Sequence, residues 1–224
     1  MKKADKKVKL RSQIILSAKE YKKYFAGKSF LYCYQKKCFE IIFSEECFLH
    51  LTGVATTLHA YDFYRKAVSG KLELNQFYFN DKHPFFTAKK KLAALPHLHT
   101  LTHEAVIILE ELPSKTHLFK LGMTNIDFTI GIDETTNRFS QYSLVKKGKV
   151  CYPRSLRIKD KSIEKSRRCF FVDSIFSKEI RQRRYVQPLL IPNNSRINSA
   201  IESYLRPSLV KELRKNYIAY CNSK

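Results

Sequence analysis

The fold is set by residues 29–54, which read SFLYCYQKKCFEIIFSEECFLHLTGV. Two runs rich in aromatic and β-branched residues, 29–35 and 38–44, are separated only by Lys36 and Lys37, and this spacing is typical of a β-hairpin. The second run leads into FLHLTG, where His50 stands between two leucines shortly before Gly53. Because glycine adopts backbone conformations that other residues avoid, we expect the chain to change direction there. The stretch predicts a hairpin followed by a turn that carries a histidine.

The sequence before and just after this stretch has the pattern of helices. Upstream, an amphipathic helix is predicted over 14–25, after a mobile lysine-rich tail that ends near residue 11. Downstream, Gly70 and Pro96 are expected to end two helices. The helix-like segments downstream are 60–69, about 74–81 and 85–95, while 102–112 fits either a helix or a strand.

The second half of the chain changes to the pattern of strands. Short polar turns join most of these runs, as expected for an antiparallel meander. A last helix-like segment, 199–220, is interrupted by Pro207. The order of elements predicts an α+β fold: an N-terminal helix and hairpin, a helical middle, an antiparallel sheet with helices on one side, and a C-terminal helix. The strand-like runs are 117–123, 128–133, 139–146, 152–158 and 169–177.

Length and hydropathy limit the organisation of the chain. The 224 residues fit one full-sized domain with extensions. We divide them into a basic tail and helix (1–27), a sheet domain (28–187) and a helical extension (188–224). No run of about 18 apolar residues occurs, so no membrane span is expected. The N-terminus lacks the apolar region of a secretory signal, and the six cysteines form no C-x-x-C pair, so we expect a reducing, cytoplasmic setting.

Charge gives the first indication of function. Lysine and arginine number 42 against 20 acidic residues, a net charge of +22. So large a positive potential attracts polyanions, chiefly nucleic acid, and secondarily an anionic membrane surface or an acidic protein. Aromatic residues are interleaved with the cations between 142 and 185, as in proteins that bind single-stranded nucleic acid, although such rings also fill sheet cores. The predicted nucleic-acid contacts are Arg154, Lys146, Lys147, Lys159, Arg167 and Arg168.

Two short motifs have the composition of a catalytic site. His50 titrates near neutrality and could exchange a proton with a substrate, or it could merely fill the edge of the core and cap a turn. In the run YPRSLR, residues 152–157, strand alternation puts Ser155 and Arg157 on one face and Arg154 on the other. A hydroxyl and a guanidinium that point together suit a phosphate, and a solvated basic strand is the alternative.

A competing site is the histidine cluster at 97–103. His99 and His103 are four residues apart, which is the spacing of two zinc ligands on one helix face, and His97 lies nearby. No third ligand follows from the spacing, and exposed loop histidines are the favoured interpretation of the cluster. Gly-rich phosphate loops, G-x-S-x-G and paired-carboxylate signatures are absent from the sequence.

The hairpin together with FLHLTGV, residues 48–54, resembles the fourth branch of the phage-associated barnase, EndoU, colicin and RelE-like (BECR) ribonucleases. The resemblance extends over residues 28–178, where YPRSLR is consistent with that fold. It implies a toxin-like, metal-independent endoribonuclease of α+β form, carried by phages and other mobile elements and needing no cofactor. It also implies that His50 is the acid or base, that RNA (or else DNA) is the partner, and that a cognate inhibitor protein exists.

From the residues, we predict that RNA is cleaved by attack of its 2′-hydroxyl on the adjacent phosphate. His50 transfers the proton, and Arg157 stabilises the phosphate with help from Arg154 or a nearby lysine. Three further residues complete the prediction: Ser155 and Thr52 as hydrogen-bond donors, and Tyr142 as a second proton-transfer group or a stacking ring. There are three alternatives. The first is a non-catalytic protein that binds nucleic acid or a ribonucleoprotein, such as an inhibitor of a host defence complex. The others are a metal-dependent nuclease or hydrolase, and a peripheral membrane protein that uses its last helix.

Overall fold

The computed structural model describes residues 3–103, 105–114, 117–145, 149–191 and 199–222. Within these ranges the chain forms six α-helices, a large sheet and a two-stranded ribbon. The mixed α+β class predicted from the pattern of elements is therefore correct. The helices are α1 (Lys3–Tyr24), α2 (Cys47–Thr52), α3 (Ala60–Val68), α4 (Phe85–Ala94), α5 (Ser199–Glu202) and α6 (Pro207–Asn222).

Nine strands form the large sheet, in the order β11-β10-β1-β2-β8-β7-β6-β5-β9, and β3 and β4 form the ribbon. In the described part of the chain every neighbouring pair is antiparallel except β2 and β8, which are parallel. The predicted strands 117–123, 128–133 and 152–158 pair in succession as β6, β7 and β8, whereas β5 comes from the segment that fitted either a helix or a strand. The strands are β1 (Lys28–Tyr34), β2 (Lys37–Phe43), β3 (Ala55–Thr56), β4 (Phe77–Tyr78), β5 (Ile107–Pro113), β6 (Leu118–Thr124), β7 (Phe128–Thr135), β8 (Val150–Ile158), β9 (Arg168–Phe171), β10 (Ser174–Glu179) and β11 (Gln187–Leu190).

The hairpin between β1 and β2 is present, with its turn one residue earlier than predicted. Gln35 and Lys36 form the turn, and both have positive φ angles, of 45° and 64°. Two central residues with positive φ define the turn whose twist matches that of paired strands. The hairpin is therefore tightly closed even without a glycine.

The large sheet curls. β9 is one edge strand and β10 lies next to the other edge, yet only Val172 and Asp173 join them. Asp173 donates its backbone N–H to the carbonyl of Cys33 at 2.7 Å, and its carboxylate accepts from the backbone of Gln35 at 2.8 Å. The two ends of the sheet must therefore approach each other, and Asp173 attaches the connection to the hairpin.

The main core lies between the concave face of this sheet and the N-terminal helices. In α1, Leu10, Ile14, Ala18 and Tyr21 are buried, and their spacing of three and four residues places them on one helix face. Alternate β1 residues such as Phe30 point into the same core, because side chains alternate along a strand. Burial of this stripe explains why a helix rich in lysine is held against the sheet.

Helices cover both faces of the sheet, which corrects the prediction of helices on one side. Leu31 of β1 and Phe176 of β10 face away from the main core and pack with Ile201, Leu205 and Leu209 of the C-terminal segment. An alternating strand with apolar residues on both faces needs a cover on each face. The C-terminal helices supply the second cover.

A network of buried polar groups lies beneath that cover, and we call it the Glu40 network. Glu40 is 3% exposed and accepts hydrogen bonds from Tyr185 at 2.7 Å and from Ser29 at 3.0 Å. Lys178 lies 3.3 Å from the same carboxylate and also donates to the carbonyl of Tyr142 at 2.9 Å. Burial alone would raise the pKa of Glu40, but the Lys178 ammonium and these donors outweigh it and lower the pKa.

The predicted mobile tail is wrong for residues 3–11, which belong to α1. Leu10 extends the buried stripe by one turn, and the guanidinium of Arg11 donates to the carbonyls of Gly70 and Leu72. Lys6 and Lys9 are exposed, whereas the ammonium of Lys7 lies 5.0 Å from the centre of the Phe77 ring. Burial of Leu10 and the hydrogen bonds of Arg11 hold the first turns in place.

Three other element predictions also need correction. The predicted strand over 139–146 is a single 3₁₀ turn, Ser140–Tyr142, because the side chains of Asn137 and Ser140 bond to nearby backbone N–H groups. The helix predicted over 74–81 is a 3₁₀ turn, Leu74–Gln76, followed by β4. The run at 169–177 divides into β9 and β10, and β11 was not predicted.

Candidate active site

His50 is presented to solvent by the short helix α2. Phe48 and Leu51 of this helix are fully buried, so the intervening His50 points outward. The helix ends at Gly53, whose φ of 74° is in the left-handed region. Thr52 is buried, and its hydroxyl donates to the carbonyl of Leu49 at 2.7 Å. Thr52 therefore fixes the end of the helix and does not face the cleft described below.

Gly53 also allows helix α4 to approach the turn. A Cβ atom at this position would lie 2.8 Å from Cδ of Lys91 and 3.5 Å from Cα of Ala88. The first contact is shorter than van der Waals distance, so a side chain here would displace the Lys91 side chain. The glycine thus lets the Lys91 side chain pass next to the helix that carries His50.

Strand β8 brings the predicted phosphate-binding residues to the same side of the molecule as α2 and α4. Ser155 pairs with Gly131 of β7, whereas Pro153 pairs with the next residue, Ile132, so Arg154 is an extra residue in β8. Such a β-bulge interrupts the alternation of side chains. Arg154 and Ser155 consequently border the same cleft, and the prediction that Arg154 faces away from Ser155 and Arg157 is wrong.

The cleft is an open concavity of about 1010 Å³ next to the bulge. It lies between β8, the hairpin of β5 and β6, and the first turns of α4. Cationic and hydroxyl groups predominate in its wall, and two carboxylates are also present. The lining residues are Thr87, Pro113, Ser114, His117, Phe119, Asp133, Arg154, Ser155, Arg157, Asp160, Ser162 and Lys165.

Arg157 is a cleft residue whose guanidinium is already bonded within the protein. Its Nη1 donates to Asp160 at 2.6 Å, to Ser162 at 2.9 Å and to the carbonyl of Pro113 at 3.0 Å. The guanidinium also lies 4.9 Å from the centre of the Phe119 ring. Burial would raise the pKa of Asp160, but the hydrogen bond from Arg157 outweighs it and lowers the pKa. Arg157 therefore ties β8 to the two neighbouring turns.

Arg154 differs from Arg157 although both line the same cleft. Its side chain is exposed, and within the described ranges it forms no hydrogen bond or ion pair. It is close enough to His50 for its charge to act on the imidazole. An exposed guanidinium without a carboxylate partner is available to a phosphate, which it can bind through two parallel hydrogen bonds.

The His50 ring is surrounded by protein and positive charge while keeping an exposed edge. Burial lowers the pKa of His50, and the charges of Arg154, Lys91 and His83 lower it further. At neutral pH the imidazole is therefore mainly in its neutral form, which can accept a proton. No described residue forms a hydrogen bond with this ring, so a ligand has access to it.

Lys91 belongs to this group although the sequence analysis did not select it. Burial lowers the pKa of Lys91 to about 8, and the nearby charge of Arg157 contributes. The Lys91 ammonium is near both His50 and Arg157. Its charge lowers the pKa of His50, and the charge of Arg157 lowers the pKa of Lys91. The spacing of Thr87 and Lys91 on α4, four residues apart, is the one sequence signal that could have placed Lys91 next to the cleft.

The other predicted site residues are not all at the cleft. Ser155 lines it, and its hydroxyl has no partner among the described residues. Tyr142 packs with a small apolar cluster around Ile42 and Val150, and it lines a separate groove beside Glu46. Tyr142 is therefore not grouped with the cleft residues.

The predicted nucleic-acid contacts are spread along the basic segment. Arg154 is in the cleft, Lys159 is exposed just after β8, and Arg168 is exposed on the edge strand β9. Arg167 is exposed and forms an ion pair with Glu111 at 2.7 Å. Lys146 and Lys147 lie outside the described residues.

The histidine cluster at 97–103 does not bring its rings together as the ligands of one metal ion would be. The rings of His99 and His103 are 6.5 Å apart, and His99 stacks on Tyr24 at 4.7 Å. Among the described residues, no group of three or more His, Cys, Asp or Glu side chains is placed to hold a metal ion.

In the same ranges no helix is long and apolar enough to cross a membrane.

Comparison with known proteins relates this cleft to a nuclease family. Residues 13–188 match the model of the phage-Barnase-EndoU-ColicinE5/D-RelE-like nuclease 4 family, PBECR4. The chain belongs to this family. The match includes α2, which carries His50, and every element that lines the cleft, and the family indicates a nuclease that acts on nucleic acid. No curated protein and no solved structure matches this PBECR4 chain.

Proposed function

We propose that this PBECR4 nuclease is an endoribonuclease that cleaves RNA by attack of a 2′-hydroxyl on the adjacent phosphate, without a metal cofactor. The observation that carries the proposal is the position of His50: a mainly neutral imidazole stands beside Lys91 and beside Arg154, and Arg154 lines the cationic cleft. A base next to unpaired cations is the combination that this reaction needs.

The first step requires a proton acceptor and stabilisation of negative charge. His50 accepts the proton of the 2′-hydroxyl, and the 2′-oxygen then forms a bond to phosphorus. Negative charge increases on the non-bridging oxygens, and Arg154 and Lys91 lie where they can stabilise it. The hydroxyl of Ser155 donates a further hydrogen bond to the phosphate.

The remaining predicted residues have supporting roles in this proposal. Arg157 holds the wall of the cleft through Asp160 and Ser162, and its Nη2 and Nε atoms remain for a second contact with phosphate. Thr52 holds the end of the helix that carries His50. Tyr142 is assigned no part in the reaction.

Cleavage of labelled RNA in the presence of EDTA tests the proposal. We expect the full-length chain to cleave a single-stranded RNA, and to leave intact the same strand with 2′-deoxy nucleotides at the mapped cleavage sites, because these lack the attacking hydroxyl. His50→Gln should reduce the rate at least ~100-fold, which is the lower range for loss of one proton-transfer group, with RNA affinity nearly unchanged.

A matched control is His97→Gln, since His97 is exposed and does not line the cleft. This variant should cleave at the rate of the wild type. Equal rates for His50→Gln and the wild type would contradict the role of His50. Tight RNA binding without any cleavage would instead support a non-catalytic binding protein.

A further inference from the structure

The cleft contains a second imidazole, paired with a carboxylate, that the proposed first step does not use. Nε2 of His117 lies 2.9 Å from Oδ1 of Asp133, and both residues line the cleft together with Arg154 and Ser155. In the sequence, His117 begins a strand-like run and belongs to none of the candidate motifs. Asp133 is in β7, next to the strand that carries the bulge.

The structure holds this pair in a defined orientation. His117 closes the turn between β5 and β6, where its backbone N–H donates to Ser114 at 2.8 Å and its carbonyl accepts from the same hydroxyl at 2.6 Å. Its ring packs edge-on against Phe119, with 4.6 Å between ring centres. The N–H at Nε2 donates a hydrogen bond to Asp133. Nδ1 has no partner among the described residues, so it is the nitrogen that remains for a substrate.

The two imidazoles at this cleft have opposite electrostatic surroundings. His50 faces three positive groups and is kept neutral. His117 faces the carboxylate of Asp133, which accepts the hydrogen bond from its Nε2 and orients the ring. An imidazole beside cations and an imidazole held by a carboxylate are suited to the separate tasks of base and acid.

We propose that His117, oriented by Asp133, is the general acid of the reaction; this assignment rests on the proposed ribonuclease function. While His50 takes the proton of the 2′-hydroxyl, the 2′-oxygen bonds to phosphorus and the bond from phosphorus to the 5′-oxygen breaks. Nδ1 of protonated His117 gives its proton to the departing 5′-oxygen. The products are a 2′,3′-cyclic phosphate and a 5′-hydroxyl, with His50 protonated and His117 neutral.

An RNA whose leaving group needs no proton tests this assignment. The substrate is an oligoribonucleotide in which sulfur replaces the bridging 5′-oxygen at the cleavage site mapped with the wild type, because a thiolate departs unprotonated. His117→Gln should lose ~10²–10⁴-fold on the natural RNA but stay within about threefold of the wild type on the sulfur-containing RNA. His50→Gln should be slow on both substrates, since the attack by the 2′-hydroxyl is unchanged.

Asp133→Asn tests the positioning role of the carboxylate. It should slow cleavage of the natural RNA by about tenfold or more, because the imidazole loses the carboxylate that orients it, and cleavage of the sulfur-containing RNA should stay near the wild-type rate. The exposed pair stabilises the fold little, so both variants should remain folded.

Each outcome supports or overturns the assignment. A loss of equal size on both substrates would show that His117 does not protonate the leaving group. No loss on natural RNA would show that His117 and Asp133 form only a surface ion pair. If the wild type cleaves neither substrate, the proposed ribonuclease function fails, and this assignment fails with it.

Discussion

The Glu40 network and the cleft beside His50 both concentrate charged groups, but they differ in how these groups are paired. In the network, one carboxylate, one ammonium and two hydroxyls satisfy each other away from water. In the cleft, Arg154 has no partner among the described residues, and Lys91 stands near like charge. Charges that stabilise a fold are paired within it, whereas charges that await an anionic ligand are left without a partner.

The same difference occurs within one strand. Arg157 forms three hydrogen bonds through one nitrogen, and Arg154, three residues earlier in β8, forms none with a described residue. Both face the cleft only because the bulge changes the direction of the side chains. The comparison therefore assigns a mainly structural role to Arg157 and a mainly ligand-binding role to Arg154.

The largest expected effect comes from breaking the Glu40 network. Glu40→Gln removes the charge that compensates Lys178, whose side chain is fully buried, and should lower the free energy of unfolding by about 3–5 kcal/mol. Urea denaturation measures the change. Glu46→Gln is the matched control, because Glu46 pairs with Arg138 at the surface and its loss should cost less than about 1 kcal/mol. Equal stability of the two variants would contradict a structural role of the network.

A smaller effect should separate the two arginines. Arg157→Ala should lower the free energy of unfolding by about 2 kcal/mol, because Asp160 and the carbonyl of Pro113 lose a charged donor. Arg154→Ala should leave the free energy of unfolding unchanged. It should reduce the slope of RNA affinity against salt concentration by about one released counterion. Unfolding in urea and binding over a range of salt concentrations measure both quantities for each variant. The distinction fails if Arg154→Ala destabilises the fold as much as Arg157→Ala.

The smallest expected effect is a change in the pH dependence of cleavage. Since the pKa of Lys91 is about 8, its ammonium loses its charge above that pH, and the cleavage rate should then fall by up to about tenfold per pH unit. Lys91→Arg keeps a cation beside His50 and Arg157, and should move this decrease to higher pH. A pH–rate profile of both proteins on the sulfur-containing RNA, whose cleavage needs no general acid, measures the shift. An unchanged alkaline limb in Lys91→Arg would exclude Lys91 from stabilising the phosphate.

The part of the fold that could be predicted is the part that local sequence determines. The hairpin follows from two runs of aromatic and β-branched residues with a short gap, and α3 follows from its periodicity and Gly70. The 3₁₀ turn at Ser140 was missed because Phe139 and Tyr142 look like strand residues. The side-chain bonds of Asn137 and Ser140, which determine the local conformation, have no periodic pattern.

The candidate site was less predictable, since its parts come from distant positions. His50 could be selected because a histidine before a glycine turn is a local pattern. The bulge at Arg154 depends on the register between β7 and β8, which strand alternation alone does not contain. Lys91, His117 and Asp133 come from three other elements, and only the curl of the sheet relates them to His50. Sequence reasoning supplied types of residue and could not supply these proximities.

The short link between β9 and β10 has a consequence for synthesis of the protein. The hairpin ends at residue 43 and emerges from the ribosome early, but its neighbours in the sheet, β8 and β10, begin only at residues 150 and 174, so these pairings are of high contact order. Until these strands emerge, neither the cationic groups of β8 nor the closure of the sheet is available to His50. The hairpin and His50 are therefore synthesised well before the cleft beside them can assemble.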